Sequence, residues 1–118
     1  MLSIDFNTND GWSKPKIMPY GPIDVETTST SLHYGITAFE GMSCAKNEKT
    51  GELQFFKMDQ HLDSFYRSSD HLQLPTFDHN ELKKLIQELV RLDKDWYPET
   101  HFDDQNIRQM YIRLCHFS

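Results

Sequence analysis

Apolar positions recur with period two near both ends of this chain and with a period near 3.6 between them. Leu2, Ile4 and Phe6 alternate with polar residues, which predicts a half-buried strand over Met1–Asn7. Thr8-Asn9-Asp10-Gly11 predicts a turn, because Asp-Gly supplies the residue that tolerates positive φ. Pro15, Pro19 and Pro22 hold Trp12 to Ile23 extended, since proline fixes its own φ and keeps its predecessor out of the α region. The Thr- and Ser-rich stretch Val25–Ser31 reads as a short strand leading into Ser31 as a helix cap. From Ser31 a helix-compatible segment containing Tyr34 and Phe39 runs into Glu40-Gly41.

Met42–Lys46 and Leu53–Lys57 flank the polar loop Asn47–Gly51, the pattern of a β-hairpin. Met58, Leu62, Phe65, Tyr66 and Leu72 then recur at helical spacing to about Gln73, with Asp59 as the predicted cap and Pro75 as the stop. In a second helix, Asp78-x-x-Glu81 resembles a capping box, and Leu82, Leu85, Ile86, Leu89 and Leu92 form an apolar stripe. Both stripes read first as core packing. Trp96-Tyr97-Pro98 ends that helix, Glu99 to Gln105 reads as a polar loop, and Gln109–Leu114 alternates again as a strand. The fold class is therefore α+β: a small domain with a mostly antiparallel sheet, a β-hairpin and two amphipathic helices.

Length and composition narrow this picture. The 118 residues suit one domain, and a 37% apolar content with mean hydropathy −0.67 is lean for a self-sufficient core. Such a surface expects a partner domain or subunit, although solvated acidic helices give the same average. A net charge of −6 without a basic stripe argues against nucleic acid and anionic membranes. Cys44 and Cys115 have no Cys-x-x-Cys or Cys/His spacing around them, and a reduced intracellular protein is the simplest reading. No apolar run approaches the roughly 20 residues that span a bilayer, and no targeting segment is visible at Met1-Leu2-Ser3-Ile4-Asp5-Phe6.

Candidate chemistry is sparse. The histidines (33, 61, 71, 79, 101 and 116) lack metal-ligand spacing, so no metal is expected. Tyr111 and Arg113 lie two apart on a strand and leave the same face. A guanidinium fork beside a phenol suits a carboxylate ligand; it suits a surface acid of the protein itself equally well. Tyr34 and Phe39 either line an apolar pocket or are ordinary core aromatics. Gly35 and Gly41, six apart, mark either turn boundaries or backbone that passes close to something flat.

The stretch Leu32-His33-Tyr34-Gly35-Ile36-Thr37-Ala38-Phe39-Glu40-Gly41-Met42 closely resembles the signature segment of the branched-chain aminotransferases. Further stretches agree in order: Gly11-Trp12 with Pro15 and Pro19, His61-Leu62-Asp63 with Tyr66-Arg67-Ser68, Leu74-Pro75-Thr76-Phe77-Asp78, Glu81-Leu82, Leu89–Trp96 and Tyr111-Ile112-Arg113. The resemblance covers essentially the whole chain and looks most like the eukaryotic-type enzymes. D-amino-acid aminotransferases and a lyase belong to the same group and remain alternative identities. The resemblance implies transfer of the amino group of leucine, isoleucine or valine to 2-oxoglutarate through pyridoxal phosphate. It implies a cytoplasmic or mitochondrial-matrix enzyme, and a homo-oligomer or partner subunit. Tyr34, Phe39, Tyr111 and Arg113 match positions that line the family's substrate pocket.

The departures from the pattern carry as much weight. Transamination needs a lysine to hold the cofactor and an acid at its ring nitrogen. None of the eight lysines here matches that role, so the resemblance reads residues 1–118 as a truncated small domain without the lysine-bearing large one. The family's cofactor-phosphate arginine aligns with Ser64, and Arg67 is a weak substitute. Leu114-Cys115-His116 stands where the family continues with proline. The expectation is an aminotransferase portion that is inactive alone; the alternative is a non-catalytic paralogue serving as an interaction or structural module.

Overall fold

The computed structural model describes residues 1–97 and 109–118. The expected Glu99–Gln105 loop lies outside the described residues.

The N-terminal alternation produces two short strands, β1 (Leu2–Ser3) and β2 (Phe6–Asn7), where a single strand over Met1–Asn7 was expected. They pair antiparallel with β4 (Lys16–Ile17) and β3 (Gly11–Trp12). The break at Ile4-Asp5 has a local cause. Pro15 offers no N–H to the ladder, and the Ser13 hydroxyl takes the Asp5 N–H at 3.0 Å in place of a strand carbonyl. The turn falls where Asp-Gly predicts it, with Gly11 at φ 76°.

No strand forms over Val25–Ser31. A turn closes instead through the Ser29 N–H to the Glu26 carbonyl at 3.0 Å, and Ser29 rather than Ser31 caps helix α1 (Thr30–Tyr34). The Ser29 hydroxyl accepts from the Ser31 N–H at 3.2 Å. Gly35, at φ 69°, ends α1 in the left-handed conformation that costs a residue without Cβ little. Phe39 is therefore not helical: the chain leaves the turn directly into strand β5 (Thr37–Lys46).

Strand β5 is the centre of the fold. It pairs with β6 (Leu53–Phe55) through the expected hairpin and with β7 (Gln109–Phe117), giving the antiparallel order β6-β5-β7. β7 runs three residues beyond the predicted Leu114. Period-two alternation sends Ala38, Met42 and Cys44 of β5 and Leu114 of β7 to one face, where all are buried.

Helices α2 (Met58–His71) and α3 (His79–Leu92) cover that face, so the architecture is α+β. On α2 the buried residues are Met58, Leu62, Phe65 and Ser69. Asp59 does not cap α2: Lys57 occupies the cap position at φ 49° without a side-chain bond, and Asp59 instead pairs with Lys83 of α3 at 2.6 Å. Asp78 caps α3 as expected, accepting from the Glu81 N–H at 2.9 Å. Glu81 does not complete the box but binds Lys84 at 2.7 Å. The buried line of α3 is Ile86 and Val90, one turn apart, whereas Leu92 at the end of the predicted stripe is 57% exposed.

Trp12 ties the N-terminal strands to this core. Its indole N–H donates to the Thr76 carbonyl at 2.8 Å, and its ring lies 5.6 Å from that of His116 on β7.

Candidate functional site

The sheet face opposite the helices carries the candidate chemistry. Phe39, Gly41 and Ser43 alternate along β5, and the register sets them opposite Cys115, Arg113 and Tyr111 of β7. All of these side-chain positions point away from the helix layer because neighbouring antiparallel strands share their pleat. The Arg113 guanidinium carbon sits 4.9 Å from the centre of the Phe39 ring and 5.5 Å from that of Tyr111. One cation thus bridges two aromatic faces, an arrangement worth roughly 0.5–1 kcal/mol per contact at an exposed site. Phe39 and Tyr111 are each 62% exposed, and among the described residues Arg113 has no carboxylate partner.

Gly41 makes this arrangement possible. A Cβ built there would run into the Tyr111 ring, with Cε2 only 2.9 Å away. The flat object beside the glycine backbone is therefore a side chain of the protein itself, two residues before Arg113. Gly35, the other glycine of the signature, serves as the helix boundary.

Three of the four predicted pocket residues come together. Tyr34 does not join them: it ends α1, is 80% exposed, and its one ring contact among the described residues is His33 at 6.3 Å. Phe39 and the Tyr111–Arg113 pair are neighbours on one sheet face.

The helix-facing side holds a polar cluster that sequence spacing did not reveal. Glu40 falls between Ala38 and Met42 on the buried side of β5 and meets α2. Its carboxylate accepts the Gly41 N–H at 2.9 Å, lies 3.3 Å from His61 Nδ1 and accepts the Ser64 hydroxyl. Burial alone would push the Glu40 pKa up, but the hydrogen bonds from Gly41, Ser64 and His61 outweigh it and hold the carboxyl below its usual range. No local motif joins residues 40, 61 and 64; only the seating of α2 on β5 does. Arg67 is exposed one turn beyond Ser64 and makes no ion pair among the described residues.

On β7 the departure from the family pattern is structural. Leu114 is buried, and His116 sits against the rings of Trp12, Phe65 and Phe77 with Nδ1 3.0 Å from the Ser69 hydroxyl. Burial pushes the His116 pKa down. A groove of about 420 Å³ opens between the N-terminal strands and α3, lined by Trp12, Leu82, Leu85, Leu89 and Ile112 among others; neither Phe39 nor Tyr111 borders it. No helix among the described residues is long and apolar enough to cross a membrane.

No family model matches the chain. Individual proteins do. Over 98 residues it is 41% identical to the branched-chain-amino-acid aminotransferase of Monosiga brevicollis, covering 83% of this chain and 25% of that protein. The chain belongs to the branched-chain-amino-acid aminotransferase family. The cytosolic branched-chain-amino-acid aminotransferase of Ovis aries is 33% identical over 112 residues, 95% of this chain and 29% of the relative. A probable branched-chain-amino-acid aminotransferase of Staphylococcus aureus is 36% identical over 84% of this chain and 27% of its own length. The chain thus spans only about a quarter of the relatives it matches, and both eukaryotic and bacterial members of the aminotransferase family are similar to it.

Proposed function

We propose that this chain supplies the substrate-facing wall of a branched-chain aminotransferase. One observation carries the reading. In a chain related to these enzymes, the open sheet face places an apolar ring, a phenol and a guanidinium without a carboxylate partner among the described residues within one side-chain reach. Phe39 offers apolar surface to a branched side chain, and Arg113 offers a planar fork to the carboxylate of an amino acid or 2-oxo acid. Tyr111 steers that fork by stacking on it, and Tyr34 takes no part in this arrangement.

The residues present do not fit the phosphate of the cofactor that the family implies. Position 64 is a serine beside the Glu40 carboxylate, and Arg67 has no ion-pair partner among the described residues. None of the eight lysines matches the cofactor-bearing lysine of the family, so the 118 residues alone do not transaminate.

Two measurements test the reading. In the isotopically labelled chain, leucine and 4-methyl-2-oxopentanoate are expected to shift the resonances of Phe39, Gly41, Tyr111 and Arg113 with a Kd on the order of millimolar. Arg113→Ala should weaken the oxo-acid effect about tenfold or more, because a charge-assisted fork contributes roughly 1.5–3 kcal/mol. Shifts confined to other surfaces, or unaffected by Arg113→Ala, would overturn the assignment. Formation of glutamate from leucine and 2-oxoglutarate by the chain with added pyridoxal phosphate would overturn the claim of inactivity.

A further inference from the structure

We infer that the corner between β5 and α2 keeps phosphate off this chain, so that a phosphorylated cofactor or substrate meeting it must be anchored by other residues. The inference does not depend on the reading of the opposite sheet face, which shares no side chain with this corner.

A phosphate site needs fixed donors aimed outward and positive charge, with no competing anion. At this corner the donors are already spent. The Gly41 N–H donates to the Glu40 carboxylate at 2.9 Å and His61 Nδ1 lies 3.3 Å from the same oxygen, with the Ser64 hydroxyl also holding the Glu40 pKa down. The Glu40 side chain is 19% exposed and that of His61 28%, so an approaching anion would face a carboxylate only partly shielded by water. Two negative groups a few ångströms apart repel more strongly as the surroundings dry out. Arg67, one turn along α2, is exposed and held by no partner among the described residues, so it provides a mobile charge rather than a preset fork. The chain's net charge of −6 adds a long-range term of the same sign.

The obstacle is specific and removable. Replacing Ser64 with arginine while neutralising Glu40 would free the Gly41 N–H from a charged acceptor and add a fixed cation in place of a spent hydroxyl. The probes are inorganic phosphate and pyridoxine 5′-phosphate, the latter lacking the aldehyde that reacts with surface lysines; unphosphorylated pyridoxine reports binding of the ring alone. Titrations followed by ³¹P line width and by the amide shifts of Gly41 and Ser64 give the readout. The 118-residue chain is expected to show no saturable phosphate-dependent binding up to about 10 mM, and Ser64→Arg/Glu40→Gln is expected to bind at least about tenfold more tightly. Glu40→Gln alone, which keeps the volume of the side chain, should show part of the gain and serves if the double variant does not fold.

Saturable sub-millimolar binding by the unaltered chain, weakened by Ser64→Ala, would overturn the inference. So would a folded Glu40→Gln or double variant that gains nothing. Neither result bears on leucine or oxo-acid binding at Arg113, so the two readings fail separately.

Discussion

Gly41→Ala tests the geometry of the open face directly. The added methyl would occupy the space of the Tyr111 ring, 2.9 Å from Cε2, so one of the two must move. At Gly41 the β5 backbone is held by its pairing with β7 opposite Arg113, whereas Tyr111 is 62% exposed and free to turn outward. The side chain therefore yields. Its departure removes the contact with Arg113, roughly 0.5–1 kcal/mol at an exposed site. Against this, alanine in a strand is favoured over glycine by about 0.5–1 kcal/mol through the unfolded chain's entropy. The two terms nearly cancel, and the net change in unfolding free energy should stay within about 1 kcal/mol. Urea unfolding measures that sum. Ring-to-backbone nuclear Overhauser contacts measure the movement: those from Tyr111 to residue 41 should vanish, while those between Phe39 and Arg113 persist. In a Tyr111→Ala background the same Gly41→Ala change should become stabilising by about 0.5–1 kcal/mol, since nothing remains to displace. A loss above about 2 kcal/mol, or a Tyr111 ring that stays in place, would refute the reasoning.

The remaining predictions concern core, pH and thiols. Leu62, 1% exposed on α2, should cost about 2–5 kcal/mol when truncated to alanine, read as a lowered urea midpoint with unchanged slope. His116 has its pKa pushed below the ordinary 6.5 by burial, so the unfolded chain takes up the proton first; stability should be full above pH 6.5 and fall as the pH drops below it. His116→Gln should flatten that slope in melts across the window, leaving the further loss below the ordinary 4.5 of Glu40, whose folded pKa is also depressed. Cys115 is exposed and Cys44 fully buried in the core beside Tyr97, with its thiol pKa raised by burial, so a thiol reagent should label Cys115 quickly and Cys44 only on unfolding; equal rates would contradict the packing.

The order of elements was legible because each rested on local rules. The Asp10-Gly11 turn, the hairpin across Asn47–Gly51, the Asp78 cap and the alternation that puts Tyr111 and Arg113 on one face all stand in the structure. Each depends on residues within a few positions of one another, where backbone sterics and period decide the outcome. The errors share a cause too. Asp59 is a good cap residue, but Lys83 of another helix claims its carboxylate. Val25–Ser31 has strand composition without a strand to pair with, and so it turns. Phe39 sits close enough to a helix to be counted in it, yet Gly35 ends that helix and pairing with β7 decides the rest.

The candidate site divides along the same line. Family membership, and with it the roles expected of Phe39, Tyr111 and Arg113, follow from residue order alone. That Gly41 yields its face to Tyr111, that Arg113 stacks between two rings, and that Glu40 draws His61 and Ser64 around itself are decided by tertiary structure. Apart from the Tyr111–Arg113 stack, these contacts join residues 21 to 74 positions apart, through strand register and the seating of α2 on β5. A hydrogen bond or a steric overlap acts over ångströms of space, and chain separation carries no record of which distant residues will be brought within that range.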